Sequence, residues 1–190
     1  LAEKITDTAL MISTIMDRLP FILILILLFY SSELVNRSEN SRFEMLENTA
    51  PYSQFVVLLS KLTALFIIPL IIISISILIG CSFQIANANA PIEMGLYLSL
   101  FYYLGFPLLL ISILVIAIQT FIKNKYIGLS VASFICLLFC TGIGEQLGIS
   151  HPLLRFGDAF KREYFDLNGF GKYTFPFHIS MLYNFGLALL

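Results

Sequence analysis

Cys136 and Cys140 lie four apart in an apolar run, so a helix would carry both thiols on one face. They have no further Cys or His at ligand spacing, and a disulfide between positions i and i+4 of a helix is strained. Both therefore read as small apolar filler. His151 and His178 stand alone, and His151, directly before Pro152, reads as a loop residue. The stretch "DLNGFG" at Asp166–Gly171 has some calcium-loop character, but the closing Glu is missing and Asn168-Gly169 is a turn signal. Neither GxxxxGKS/T nor HExxH occurs, so the sequence offers no P-loop and no zinc-peptidase helix. The glycine-rich "GIGEQLG" ends an apolar run and does not link a strand to a helix, which argues against a dinucleotide site. Glu145 within it reads as an interfacial carboxylate where that run emerges.

The elements that would position these groups belong to a membrane protein. Of 190 residues, 58 % are hydrophobic and only 12 % charged, half the charged share of an ordinary soluble domain. Mean hydropathy is +0.91. The net charge of −1 and the lack of a basic cluster give no sign of a nucleic-acid partner. The run "LPFILILILLFY" lacks a basic flank and a small-residue cleavage site, so it does not read as a signal peptide. The chain opens on Leu1 and stops inside the apolar "NFGLALL", so residues 1–190 read as a fragment of a single transmembrane domain.

Charge-free runs mark the spans, at about 20 apolar residues per crossing. They are expected near 19–36, 56–80, 94–122, 126–147 and 174–190. Upstream of the first, "TALMISTIM" reads as an amphipathic or interfacial continuation. The 94–122 run is longer than a crossing needs, so it tilts or starts in the interface, with Gly105 and Pro107 as a kink. The runs are continuous and do not alternate as barrel strands would. Helices are then the remaining way to satisfy every backbone group in lipid. The expected fold is all-α, a polytopic transmembrane helical bundle with about five spans in this chain.

Sidedness follows from where basic residues are dense. Arg37, Arg42, Lys61, Lys123 and Lys125 crowd two short connections, while the 81–93 linker on the opposite side has none. On the opposite side Lys4, Arg18, Arg155, Lys161, Arg162 and Lys172 make six against these five, so the raw count does not decide. Four of the six lie in one long loop, the kind that counts least. Segment 37–54 and the "KNK" turn are therefore placed in the cytoplasm, and loop 148–173 outside.

Segment 37–54 is built like a docking helix. Ser41 and Glu44 have capping-box spacing, and Phe43 and Leu46 are three apart and share a face. Pro51 stops that helix, and Ser53 can cap the next. A two-turn amphipathic helix results, suited to enter a groove on a partner, although a solvated loop would share these features.

The pattern "SELVNRSENSRFEMLENTAPYSQFVVLLSKLTALFI" resembles the segment between the second and third spans of type-2 ABC export permeases. The matching positions are Glu33, Arg37, Glu39, Glu44, Leu46, Thr49, Pro51, Ser53, Ser60 and Lys61. The later order of spans, including "IKNKYIG" at the end of one, is similar as well. "HPLLRFGDAFKREYFDLNGFG" is similar to the outer region of a bacterial subgroup, some of whose members are fused to or encoded beside a gluzincin aminopeptidase.

The resemblance implies a coupling helix at Arg42, Phe43, Glu44, Met45, Leu46 and Glu47, docking on an ABC ATPase subunit. ATP and Mg would be bound by that subunit, with no cofactor held by this chain. It further implies a second permease half as partner, a place in the bacterial inner (plasma) membrane, and no enzyme activity in the permease part. Tyr97, Tyr102 and Tyr103 fit an interface belt and equally a substrate path. A non-transporting membrane anchor for a fused or neighbouring enzyme is the alternative. A membrane-embedded enzyme lacks support, with no GxSxG and no paired intramembrane acids. A secondary transporter lacks it too, because the spans offer no ion relay.

Overall fold

The computed structural model describes residues 8–40, 53–87, 93–122, 124–140, 156–157 and 174–188. Six helical segments form there: α1 (Thr8–Asn40), α2 (Gln54–Asn87), α3 (Met94–Tyr103), α4 (Gly105–Phe121), α5 (Lys125–Cys140) and α6 (Thr174–Ala188). Because α3 and α4 run end to end, they make one rod, and the described chain is five rods. It is all-α.

Three rods are long and apolar enough to cross a membrane: Met11–Arg37, Phe55–Ala86 and Met94–Phe121. That is the composition and architecture of a multi-pass membrane protein. Of the about five spans expected, these three reach spanning length among the described residues, and Lys125–Cys140 is apolar but shorter. Phe55–Ala86, at 32 residues, measures about 48 Å at 1.5 Å per residue, well beyond a 30 Å hydrocarbon core, so it tilts or projects.

The "TALMISTIM" stretch is the start of α1, continuous with the span through Pro20. Pro20 removes the donor for the Met16 carbonyl but does not end the helix, since neighbouring helices hold the chain on both sides of it. The α3–α4 break falls at Leu104 (φ −99°, ψ −42°), next to the anticipated Gly105 and Pro107. Its cause is Pro107, which cannot donate to the Tyr103 carbonyl four residues back.

The α3–α4 rod is the centre of the bundle. Within its spanning window 56 % of residues are buried, against 17 % for Phe55–Ala86, which therefore lies at the periphery. Helix α4 packs on α1, α2, α5 and α6, and α1 also packs on α2, α3 and α5. Leu23 and Leu27 of α1, Leu65 and Ile73 of α2, and Leu108 and Val115 of α4 are fully enclosed in the shared core. Lipid is as apolar as these side chains, so close packing holds the helices together.

Many hydroxyls inside the apolar helices are absorbed locally. Ser31 donates to the Leu28 carbonyl (2.9 Å), Ser74 to Leu70 (2.7 Å), Ser76 to Ile72 (2.9 Å) and Thr120 to Ile116 (2.7 Å). Each would otherwise be an unpaired group in hydrocarbon. At the helix starts, Ser53 holds the N-cap position of α2, its carbonyl accepting from Val56 N–H at 3.0 Å. The Asn124 carboxamide oxygen caps α5 by accepting from Tyr126 N–H (3.1 Å) and Ile127 N–H (3.4 Å).

The Phe156–Gly157 turn packs into the bundle beside Pro107 and Ile111, midway along the Met94–Phe121 rod. Gly157 has φ +72°, and a Cβ there would stand 3.0 Å from Ile111 Cγ1. Both the conformation and the close approach require glycine.

Candidate functional site: two polar ends and an aromatic wall

The two ends of the bundle carry different polar devices. At one end, three helices from distant parts of the chain meet through side chains. The Tyr97 hydroxyl donates to Gln84 Oε1 at 3.0 Å, and Gln84 Nε2 donates to Thr8 Oγ1 at 2.8 Å. Gln84 and Tyr97 are fully buried and Thr8 nearly so. Gly80 makes room, since a Cβ there would lie 3.3 Å from the Tyr97 ring and hydroxyl. The start of α1, the end of α2 and the start of α3 are thereby clamped together.

At the other end, Lys125 Nζ lies 2.8 Å from Glu33 Oε2. This ion pair joins the last turns of α1 to the first turn of α5. The exit of α1 toward segment 37–54 and the turn at 123–125 therefore share one end of the bundle.

An aromatic wall runs between α3–α4 and α6. Tyr102 meets Tyr103 edge-on at 5.4 Å and Phe177 at 5.5 Å, and Phe106 faces Phe185 at 6.0 Å. Such offset and edge contacts add to plain burial. The Tyr102 hydroxyl and His178 Nδ1 share a hydrogen bond of 2.6 Å, the hydroxyl donating when the ring proton is on Nε2.

The three tyrosines singled out in the sequence thus divide. Tyr97 is enclosed in the clamp, Tyr103 is half-buried against Phe177, and Tyr102 is 40 % exposed at the wall's surface. The structure does not bring them to one surface. The docking residues Arg42, Phe43, Glu44, Met45, Leu46 and Glu47 lie outside the described residues. Glu33 and Lys125, Thr8 and Gln84, and the Tyr102–His178 contact are pairings that sequence reading missed. Each joins positions far apart in the chain, and the further pairing Gln84–Tyr97 crosses residues 88–92, so no local spacing announced them.

Some buried polar atoms have no partner among the described residues: the amides of Gln119 and Asn184 and the Ser32 hydroxyl. Among those residues no trio of His, Cys, Asp or Glu converges as a metal would need. In comparisons with protein-family models, curated proteins and solved structures, the chain matches none of them.

Proposed function

We propose that this chain is the membrane-spanning part of an ATP-driven ABC export permease in the bacterial inner membrane. Segment 37–54 would be its cytoplasmic coupling element, docked on a separate ATPase subunit that binds ATP and Mg. A second permease half would complete the translocation route. Phe43, Met45 and Leu46 would enter a groove on the ATPase, and Arg42, Glu44 and Glu47 would set the register against its charges.

The observation that carries this reading is the Glu33–Lys125 ion pair. A coupling element must emerge on the cytoplasmic face, and the pair sets the α1 exit beside the basic 123–125 turn, the two places where short-loop positive charge is concentrated. The order of apolar spans and polar connections that resembles type-2 export permeases supports it further. In this mechanism, closure of the ATPase pair displaces segment 37–54, and α1 and α2, rigid on either side of it, carry the displacement into the bundle.

The test is a crosslink in native membranes from Met45→Cys, in a protein whose Cys81, Cys136 and Cys140 are replaced by alanine. Capture of a subunit carrying a P-loop ATPase supports the permease. Reproducible capture of nothing, with the introduced thiol labelled from the cytoplasm, removes the docking role and leaves a solvated loop.

A further inference from the structure

Between α1 and α5 runs an open cavity of about 220 Å³ on the side of the bundle. One wall is Phe21, Ile24 and Leu28 of α1, and the other is Ser133 and Leu137 of α5, with Asp17 at one end. Apart from Asp17, Ser133 and the thiols of Cys136 and Cys140 the lining is apolar. The rim side chains Phe21 (59 % exposed) and Leu25 (44 %) face outward. In water such a surface would seek a protein partner. In a bilayer its neighbour is lipid, and three features select which kind.

The first is length. Asp17 to Leu28 covers roughly 16 Å at 1.5 Å per residue, which is one leaflet of a hydrocarbon core about 30 Å thick. The second is depth. From Asp17 to Glu33, at the opposite end of the bundle, is about 24 Å along the helix, so both carboxylates come within side-chain reach of opposite membrane boundaries. The charged end of the groove is its headgroup end, in the leaflet away from Glu33 and Lys125.

The third feature is charge. Asp17 and Arg18 are both exposed, and among the described residues neither has an ion-pair partner. As consecutive helix residues they do not face each other. Asp17 lines the groove, and Arg18 stands on its flank one helical row over, two turns above Leu25. A guanidinium takes phosphate oxygens in a paired fork, and a carboxylate accepts from an ammonium. A headgroup carrying a phosphate and a primary amine a few bonds apart satisfies both. A purely anionic headgroup would satisfy Arg18 alone and set negative charge against Asp17.

We infer that the α1–α5 groove binds one molecule of an amine-bearing zwitterionic phospholipid, phosphatidylethanolamine in type. Its acyl chain lies along Phe21, Ile24 and Leu28, and its headgroup bridges Asp17 and Arg18. The site rests on membrane insertion and not on the proposed transport, so it stands or falls apart from the Met45 crosslink.

Residues 1–190 contain no tryptophan, so a single introduced indole is an unambiguous reporter once any tryptophan elsewhere in the full-length protein is replaced by phenylalanine. Leu25→Trp places it on the groove about 12 Å below Asp17 along the helix. Ile75→Trp places it on α2, where Ile75 is 49 % exposed, as a sensor of bulk lipid. The full-length protein is reconstituted in mixed phosphatidylethanolamine and phosphatidylglycerol vesicles, with the acyl chains of one or the other brominated at mid-chain. Quenching of Leu25→Trp should favour brominated phosphatidylethanolamine about three- to fivefold over its mole fraction, while Ile75→Trp follows the bulk. Asp17→Asn and Arg18→Gln should each bring the Leu25→Trp preference down toward one.

Equal quenching by both headgroups at Leu25→Trp overturns the site, and so does a preference that survives both charge substitutions. Protection from every brominated lipid also overturns it, because protein, a second copy included, then fills the groove. Should either charge variant fail to fold, the headgroup comparison in the unaltered charge background decides alone.

Discussion

The Tyr97 hydroxyl donates to Gln84 Oε1 at 3.0 Å with both side chains fully enclosed, tying the end of α2 to the start of α3. Gln84 passes the connection to Thr8 on α1. In hydrocarbon a carboxamide without partners is costly, so the three residues act as a unit. Tyr97→Phe leaves Gln84 Oε1 unpaired and should lower stability by about 1–2 kcal/mol. The combined Thr8→Val, Gln84→Met and Tyr97→Phe protein removes every orphan and should recover most of that loss. Unfolding in detergent, followed by helical circular dichroism, reads both. A Tyr97→Phe protein as stable as the parent would dissolve the clamp.

Gly80 is the floor on which Tyr97 lies. A Cβ added there meets the Tyr97 ring at 3.3 Å, so Gly80→Ala forces a shift of a few tenths of an ångström. Gly80→Val adds branching against the same ring and should cost about 1–3 kcal/mol. If the ring is what resists, Gly80→Val and Tyr97→Phe will be non-additive, because the displaced tyrosine has already lost its bond to Gln84. Strict additivity in the same unfolding assay would mean that the glycine serves some other contact.

Continuous apolar runs made the helical class readable, because lipid leaves few ways to satisfy a backbone. Pro107 with Gly105 located the break at Leu104 for a covalent reason visible in the residue type. The first helix was harder. Asp17, Arg18 and Pro20 interrupt its apolar run, and only the structure shows that the helix is continuous from Thr8 through Pro20, packed on α2, α3, α4 and α5. The clamp was hidden altogether, since Thr8 and Gln84 are 76 residues apart and periodicity carries no information about partners at that distance. His178, alone in sequence, finds Tyr102 across the same separation. The opposite limit applies at Arg42–Glu47, where the sequence is specific and the described residues stop short.

Glu33 and Lys125 are too exposed for their pairing to matter to stability, with Glu33 63 % exposed. Its value is positional. With the native cysteines replaced by alanine, Glu33→Cys and Lys125→Cys should be joined by a short bifunctional maleimide. A membrane-impermeant reagent should reach both from the same side of sealed vesicles. Charge reversal at both sites together should leave the unfolding midpoint unmoved. Labelling of the two positions from opposite sides would break the assignment of 37–54 and 123–125 to one membrane face.

Asn184 is fully buried on α6, and neither atom of its carboxamide has a partner among the described residues. It shares a face with Phe177 and Met181, which pack on Leu110. Leucine has the same heavy-atom branching and no polar atoms but is bulkier, and valine is closer in volume. The better tolerated of Asn184→Leu and Asn184→Val should therefore raise stability by about 1–2 kcal/mol. A fall in both variants would show that the amide bonds to a group beyond the described residues, and would make α6 a polar contact surface.

The proposed coupling makes the sharpest demand on Phe43 and Glu44. Under that proposal Phe43→Asp would put a carboxylate where an apolar side chain is to enter a partner's groove, costing docking several-fold or more. Under the proposal, Glu44→Lys would reverse a charge that sets register and remove the acid of the capping box expected at Ser41 and Glu44, and so would weaken the contact. Both positions lie outside the described spanning rods, so membrane insertion and the unfolding midpoint of the bundle should stay at parental values. ATP hydrolysis by the associated ATPase subunit should lose its dependence on the permease, and export into inside-out vesicles should fall together with the Met45 crosslink. That joint loss with intact insertion is the signature of uncoupling. Parental transport in both variants would take segment 37–54 out of the mechanism.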